Sequence, residues 1–148
     1  NRDSELAMID SATDVGMLYP EDQAKDATKE MDEEFVMRRN GVEFKVHVNM
    51  EGEYQGEGHL MLTTKRLVLV NRGMTIFKSF SMPLVHIHDE FFKEGMMGKF
   101  HVEGKCKPGM LNIKHKAEFN LKFNQLGAIH FQEVFKTCLI RAKEQRDA

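Results

Sequence analysis

Tryptophan is absent from this sequence, and cysteine, tyrosine and proline are scarce, with two, two and three residues. The two cysteines, Cys106 and Cys138, lie far apart and outside any C-x-x-C spacing, which disfavours a disulfide framework and a cysteine zinc site. Sparse cysteine fits a reducing compartment, so we expect a cytoplasmic protein. No apolar run approaches the ~20 residues of a membrane span, and the first residues do not resemble a signal peptide.

A large net charge is also lacking, because 21 basic residues stand against 23 acidic ones. Such a balance disfavours bulk electrostatic binding of nucleic acid, and we predict no nucleic-acid partner. The charges are nevertheless uneven. Residues 1–34 hold 11 acidic and 3 basic residues, whereas residues 35–148 hold 12 acidic and 18 basic ones. We therefore expect a mildly basic domain after an acidic extension that could compete for its basic surface.

Short alternating apolar runs are abundant, and they predict strands. The runs Leu60–Leu62 and Leu67–Val70 flank a polar step and predict a β-hairpin. Residues 42–48 alternate strictly after Asn40-Gly41, which is a turn signal, so they predict a half-buried strand. Further predicted strands cover residues 76–82, 84–88, 99–102, 111–115 and 118–123. About seven short strands at this spacing are typical of an antiparallel barrel or sandwich.

Two stretches have helical spacing instead. Apolar residues from Ala24 to Phe35 recur at intervals of three and four after Pro20, so residues 20–37 are either a helix or an acidic, partly disordered leader. Apolar residues from Ile129 to Ala142 recur in the same way and predict one amphipathic helix. The predicted fold class is mainly β with a C-terminal α-helix.

Several short motifs follow one another in an order typical of a known family. They are Glu34-x-x-Met37, Val42-Glu-Phe44, Gly58-His-Leu-Met-Leu-Thr-Thr-x-Arg66-Leu-Val-Leu, Lys78-Ser-Phe-x-Met-Pro83, Gly98-x-Phe-x-Val-x-Gly104, Phe119-x-Leu-x-Phe123 and Gly127-Ala-Ile-x-Phe131. Their order resembles GRAM domains and is most similar to the WW-domain-binding-protein-2 family. The resemblance implies a pleckstrin-homology-like antiparallel barrel of about seven strands capped by one helix, with a non-catalytic adaptor role.

This resemblance sets the predicted domain boundaries. Residues 34–145 would form the GRAM domain, residues 1–33 an acidic N-terminal extension that is part helical under one alternative, and residues 146–148 a tail. Members of the family carry a tail whose Pro-Pro-x-Tyr motifs bind WW domains. Here no two prolines are adjacent, and neither Tyr19 nor Tyr54 lies in such a motif. WW-domain binding is therefore not predicted.

Two histidines, His86 and His88, are spaced to share one face of a predicted strand. A metal site would need further ligands, such as Asp89 or Glu90, and we favour ordinary sheet-face histidines over zinc. No Ser-His-Asp or Cys-His arrangement stands out. We predict no metal, no cofactor and no enzymatic activity.

A basic hairpin is the first candidate binding site. Its lysines are Lys99, Lys105, Lys107, Lys114 and Lys116, on either side of Pro108-Gly109. Flexible lysines can contact lipid phosphates, at about 1 kcal/mol each near an anionic membrane. Alternatively, they are solvated residues that protect a sheet edge from aggregation, or they contact a protein.

An apolar loop is the second candidate. Phe91 and Phe92 precede Met96 and Met97, which lie between glycines. Flexible methionine side chains suit adaptable protein interfaces, so these four residues are a predicted protein contact if they are exposed. The alternative is that they are buried under the barrel.

These patterns favour a non-catalytic binding module, either an adaptor or a structural subunit of a larger assembly with an unidentified protein partner. The first alternative is a peripheral domain that binds phosphoinositides or other anionic lipids. A carrier of a small hydrophobic ligand is disfavoured, because the terminal helix and 11 phenylalanines would fill the interior.

Overall fold

The computed structural model of the protein describes residues 15–16, 33–72, 77–95, 99–108 and 114–147. The strands are β1 (Val15–Gly16), β2 (Phe35–Val48), β3 (Gly52–Thr63), β4 (Arg66–Asn71), β5 (Ser79–Pro83), β6 (Ile87–Glu94), β7 (Phe100–Cys106) and β8 (Ala117–Phe123). One turn of 3-10 helix, Leu84–His86, precedes β6, and helix α1 (Ala128–Asp147) follows β8.

The eight strands form one sheet in the order β1-β5-β4-β3-β2-β8-β7-β6. Seven of them are antiparallel, whereas the short β1 joins β5 in parallel through Val15 and Gly16. Strand β2 is central, because it pairs with β3 along its length and with β8 over Val42–Val48. Seven antiparallel strands and one C-terminal helix confirm the predicted fold class.

The core lies between the curled sheet and α1. The alternation of β2 places its inward residues as predicted, with Val42, Phe44, Val46 and Val48 buried. Helix α1 contributes these buried residues: Ala128, Phe131, Phe135, Cys138, Leu139 and Ala142. The Phe131 and Phe135 rings stack with centroids 5.1 Å apart. Each buried side chain of this size stabilises the fold by roughly 1.5–3 kcal/mol.

A second aromatic cluster packs against the inner face of the sheet. Phe77, which is 3 % exposed, places its ring 5.9 Å from that of Phe44 and 5.5 Å from that of Tyr54. The Tyr54 ring also lies 5.3 Å from Phe80. A small hydrophobic ligand at this position would have to displace these rings, so the packing gives the carrier alternative no support.

The predicted turn at Asn40-Gly41 is wrong. Strand β2 continues through both residues, and its register against β3 shifts between Asn40 and Val42. This is a β-bulge, in which one extra residue bends the strand without ending it. Gly41 has φ 67°, a left-handed conformation that glycine adopts readily. A turn signal and a bulge require the same residue type, so the sequence could not separate them.

Three other boundaries differ from the sequence prediction. The helix alternative for residues 20–37 is wrong at its end, because Phe35–Met37 belong to β2, and residues 20–32 lie outside the described ranges. The strand predicted at 84–88 begins only at Ile87. Lys114 and His115 lie outside any strand, and residues 111–113 are not among those described.

Candidate functional site

A groove of about 870 Å³ runs between α1 and the first half of β2. From α1 it is lined by His130, Glu133, Val134, Thr137, Cys138, Arg141 and Gln145. Spacings of three and four place these residues along one side of the helix. Glu34, Val36 and Thr64 form the opposite wall. We call this surface the helix groove.

The helix groove exists because β8 covers only half of β2. Their pairing spans Val42–Val48, and the Asn124 N–H donates to the Gly41 carbonyl, 2.8 Å away, at the corner. The chain then enters α1, which runs beside residues 35–40 of β2. Among the described residues, no strand pairs with that edge of 35–40. An open strand edge therefore faces one side of a helix.

The floor of the helix groove is apolar. Val36 and Val134 are half-buried and pack against the main core, and Cys138 is 8 % exposed. Burial raises the pKa of the Cys138 thiol, and the nearby Arg141 charge partly opposes this shift. A neutral thiol beside two valines behaves as a small apolar group.

Two side chains of opposite charge line the groove beside this apolar floor. Glu133 and Arg141 are both exposed on α1. They are separated by about 12 Å along the helix axis, at ~1.5 Å per residue. Neither forms an ion pair with another residue in the described part of the chain. The groove thus presents a carboxylate and a guanidinium two helical turns apart.

Two polar contacts mark the ends of the helix groove. At one end, Arg39 Nη2 donates to His130 Nδ1, 2.5 Å away. At the other, Lys65 Nζ donates to Gln145 Oε1 at 3.4 Å. Lys65 adjoins Thr64, whose N–H donates to the Glu34 carbonyl just before β2, so Gln145 lies near the start of β2 and His130 lies near Arg39, farther along the strand. The helix and this part of β2 therefore run in opposite directions.

A second candidate surface lies where β2 and β7 end. Three exposed lysines lie here: Lys107, Lys114 and Lys116. We call these lysines, together with Met50, the basic rim. Met50 is 84 % exposed in the turn between β2 and β3. The adjacent Asn49 N–H donates to the Lys116 carbonyl at 2.9 Å, which holds the turn against the lysine loop.

Glu51 links the two loops of the basic rim. Its Oε2 accepts from His115 Nδ1 at 2.7 Å and from the Lys114 N–H at 3.1 Å. The hydrogen bond from His115 lowers the pKa of the Glu51 carboxyl, against an opposing effect of desolvation. This carboxylate also reduces the positive charge of the rim.

The five lysines of the predicted hairpin do not form one cluster. Lys99 precedes β7 and Lys107 follows it, which separates them by about 26 Å at ~3.3 Å per residue. Lys105 is half-buried and pairs across the sheet with Glu118. Only the lysines of the basic rim share one end of the sheet, together with Met50, which the sequence analysis did not single out.

The four residues of the predicted protein contact are also placed differently. Phe91 is 51 % exposed and lines a cleft of about 390 Å³ on the outer face of the sheet. Phe92 is half-buried, and its ring lies 6.2 Å from that of Phe135 in the core. Met96 and Met97 lie outside the described residues. Of the described pair, only Phe91 is available to a partner.

The two histidines do not share a strand face, because His86 belongs to the 3-10 turn. His86 Nδ1 lies 3.1 Å from the Lys107 carbonyl, and His88 Nδ1 lies 3.0 Å from Asp89 Oδ2. Within the described ranges, no three His, Cys, Asp or Glu side chains are grouped so that they could hold a metal ion. No helix in the same ranges is long and apolar enough to cross a bilayer.

The helix groove was missed by the sequence analysis. The core-facing stripe of α1 was visible in its spacing, but the groove depends on where β8 stops pairing with β2, which one sequence does not reveal. The available signal was Val134, an apolar residue that directly follows the charged Glu133 on the helix.

Comparisons with known proteins bear on the fold. No family model matches the sequence, and a search of curated proteins finds no match. Among solved structures, the chain is similar to one described as the Vps36 N-terminal PH domain, with a TM-score of 0.57 and 13 % identity, over 75 % of this chain and 82 % of that one. It is also similar to a chain of the 8S snRNP assembly intermediate, with a TM-score of 0.50 and 10 % identity, over 74 % and 82 %. The protein therefore has a pleckstrin-homology-like fold, whereas the finer resemblance to GRAM domains stays a prediction.

Proposed function

We propose that this domain is a non-catalytic protein-binding module, an adaptor or structural subunit of a larger assembly, and that its partner docks in the helix groove. The observation that carries this proposal is the edge of β2 at residues 35–40, which pairs with no strand in the described part of the chain and faces one side of α1. Exposed strand edges are normally shortened, charged or covered, because they pair with other chains. Here the edge lies next to the apolar floor of the helix groove, and a binding surface requires apolar contact area of this kind.

The size and chemistry of the groove support the same function. The groove is concave and combines an apolar floor with a larger number of polar side chains that can orient a bound segment. Val36, Val134 and Cys138 provide the apolar part, and Glu133 and Arg141 the polar part. One structural neighbour is a chain of an snRNP assembly intermediate, so a chain of this fold can work within a larger complex.

The test is affinity purification of the full chain with a matched pair of variants. Glu133→Arg reverses a charge in the groove, whereas Glu144→Arg makes the same change at an exposed position of α1 that does not line it. We expect a stoichiometric protein partner with the wild type and with Glu144→Arg, and reduced recovery of that partner with Glu133→Arg. Equal recovery by both variants, or a wild-type chain that is purified alone as a monomer, would contradict the proposal.

The basic rim supports a second candidate function, binding to an anionic membrane surface. An exposed Met50 beside three lysines can insert an apolar side chain while the lysines contact lipid phosphates. Each lysine near such a surface contributes about 1 kcal/mol. Phosphoinositides and phosphatidylserine share this phosphate chemistry.

Sedimentation with vesicles tests this second candidate. Vesicles of neutral lipid are compared with vesicles that contain phosphatidylserine, with and without a phosphoinositide, at low and high salt. We expect salt-sensitive binding that falls in the triple variant Lys107→Glu, Lys114→Glu, Lys116→Glu and in Met50→Asp. The triple variant Lys99→Glu, Lys105→Glu, Lys136→Glu makes the same change in net charge away from the basic rim, and an equal loss in that variant would argue against the rim.

A further inference from the structure

Resting on this proposed function, we propose that the helix groove binds an extended peptide segment of the partner. The segment adds a strand to residues 35–40 of β2 and carries a basic, an apolar and an acidic side chain at alternating positions. Strand addition is a common mode of peptide recognition, in which backbone hydrogen bonds give affinity and side-chain pockets give specificity.

The backbone of β2 supplies the first part of the argument. β8 leaves the strand at Val42, and residues 35–40 keep an edge that no described strand occupies. The register of β2 against β3 also shifts between Phe35 and Met37, which makes Val36 the extra residue of a bulge. Bulges re-aim side chains beside functional sites, and Val36 lines the groove floor.

The direction of the peptide follows from the geometry of the strands. Antiparallel pairing is slightly more stable per residue than parallel pairing, so the added strand runs opposite to β2. Helix α1 also runs opposite to this part of β2, from His130 beside Arg39 to Gln145 beside Lys65. The peptide therefore runs in the same direction as α1 and reaches Glu133 before Arg141.

The spacing of the charges fixes the side-chain order. Glu133 and Arg141 are about 12 Å apart along the helix axis. In an extended strand, residues four positions apart lie on the same side and are separated by roughly 13 Å. A basic residue would thus face Glu133, and an acidic residue four positions later would face Arg141. The residue between them on that side lies over the valines and Cys138 and is apolar.

A direct binding measurement tests the peptide. The probe is a labelled synthetic nonapeptide with lysine, leucine and glutamate at its third, fifth and seventh positions and threonine elsewhere. Its control is the same peptide with lysine and glutamate exchanged. With the full chain, we expect fluorescence anisotropy to show binding of the first peptide and weaker binding of the second. Absence of binding below about 1 mM would overturn the proposal.

A charge exchange in the protein sharpens the test. We expect Glu133→Arg or Arg141→Glu alone to weaken binding of the first peptide about threefold, as for exposed ion pairs. The double variant Glu133→Arg, Arg141→Glu should bind the exchanged peptide more tightly than the first peptide. The matched control is the double variant Glu144→Arg, Lys143→Glu, which makes the same changes outside the groove and should behave like the wild type. The proposal would be overturned if the double variant Glu133→Arg, Arg141→Glu kept the wild-type preference for the first peptide.

Two further readouts address the position and pairing of the peptide. Bound peptide should slow alkylation of Cys138 and should slow amide hydrogen exchange in residues 35–40. Two further peptides carry N-methyl groups on the backbone nitrogens of either the third and fifth residues or the fourth and sixth. Because backbone N–H groups alternate in direction along a strand, only one of these two sets can donate to β2, so we expect one peptide to lose binding and the other to retain it. Binding without amide protection at β2 would contradict strand addition. If partner capture still depends on Glu133 while neither peptide binds, the peptide proposal fails and the proposed function stands.

Discussion

Glu33 and Arg66 form an ion pair inside the protein, with exposures of 2 % and 0 %. Arg66 donates through Nε and Nη2 to the two carboxylate oxygens, at 2.7 and 3.1 Å. Thr63 Oγ1 donates to the same carboxylate at 2.6 Å and accepts from the Arg66 N–H. A buried pair of this kind contributes little net stability, but loss of one partner leaves a buried charge without compensation.

The Glu51 carboxylate gives a pH-dependent prediction at the residue scale. Its pKa is lower in the folded protein than its ordinary value of 4.5, chiefly because of the His115 hydrogen bond. The unfolded chain therefore binds more protons as the pH falls below 4.5. The stability that this carboxylate contributes is present above that pH and is lost as the pH falls through the folded pKa.

Chemical denaturation from pH 7 to pH 3 checks this prediction. We expect the wild type to be more stable than Glu51→Gln near pH 6 and the difference to shrink below pH 4.5. The control is Glu144→Gln, at an exposed position of α1. A difference that grows as the pH falls would show that the assigned direction of the shift is wrong.

At the scale of elements, the bulge in β2 can be tested through Gly41. An alanine there would have to adopt φ near 67°, which costs an L-residue roughly 1–2 kcal/mol. Its Cβ would also lie 2.6 Å from Gln125 Cγ, the side chain of a flexible residue. We expect Gly41→Ala to lower the free energy of unfolding by about 1–2 kcal/mol, measured by urea denaturation.

A double variant separates the two causes. If backbone strain dominates, Gly41→Ala combined with Gln125→Ala should retain most of the loss, after subtraction of the effect of Gln125→Ala alone. Full recovery in the double variant would assign the loss to the contact with Gln125 instead of to the bulge.

The elements that the sequence predicted are those whose pattern coincides with their burial. Residues 42–48 alternate and are alternately buried, and α1 has a continuous apolar stripe. Leu84–His86 were mistaken for a strand because two of the three are buried apolar residues. Their conformation depends on packing against α1, where Arg146 Nη1 donates to the Val85 carbonyl. That contact is remote in sequence.

At the scale of the whole molecule, the buried ion pair gives a prediction about truncation. A chain shortened to begin at Asp32 keeps Glu33, whereas one that begins at Glu34 loses it. Removing one partner of a buried pair costs about 3–5 kcal/mol, so we expect the second chain to be less stable by about that amount in urea denaturation.

Arg66→Met in the chain that begins at Glu34 is the control. It replaces the buried charge that has lost Glu33 with an apolar side chain of similar length, and we expect it to recover part of the loss. Equal stability of the two shortened chains would contradict the role given to Glu33. In that case, a chain that begins at residue 34, the predicted domain boundary, would be as stable as one that begins earlier.

The fold could be predicted from the sequence, but the helix groove could not. The fold depends on local patterns and motif order, which a single sequence contains. The role of Glu33 was missed because it lies in an acidic run, where glutamates are normally solvated. The groove depends on the pairing limit of β8, the bulge at Val36 and the path of α1. These are relations between distant segments.

The central position of β2 has a consequence for synthesis on the ribosome. Val48 pairs with Ala117, so the partner that covers the second half of β2 is made long after β2 itself. Pairing between such distant segments is slow to form. At ~5–20 residues per second, β8 would leave the ribosome roughly 4–14 s after β2. During that interval the whole second edge of β2 is open, so aggregation of the nascent chain should be most sensitive to β2.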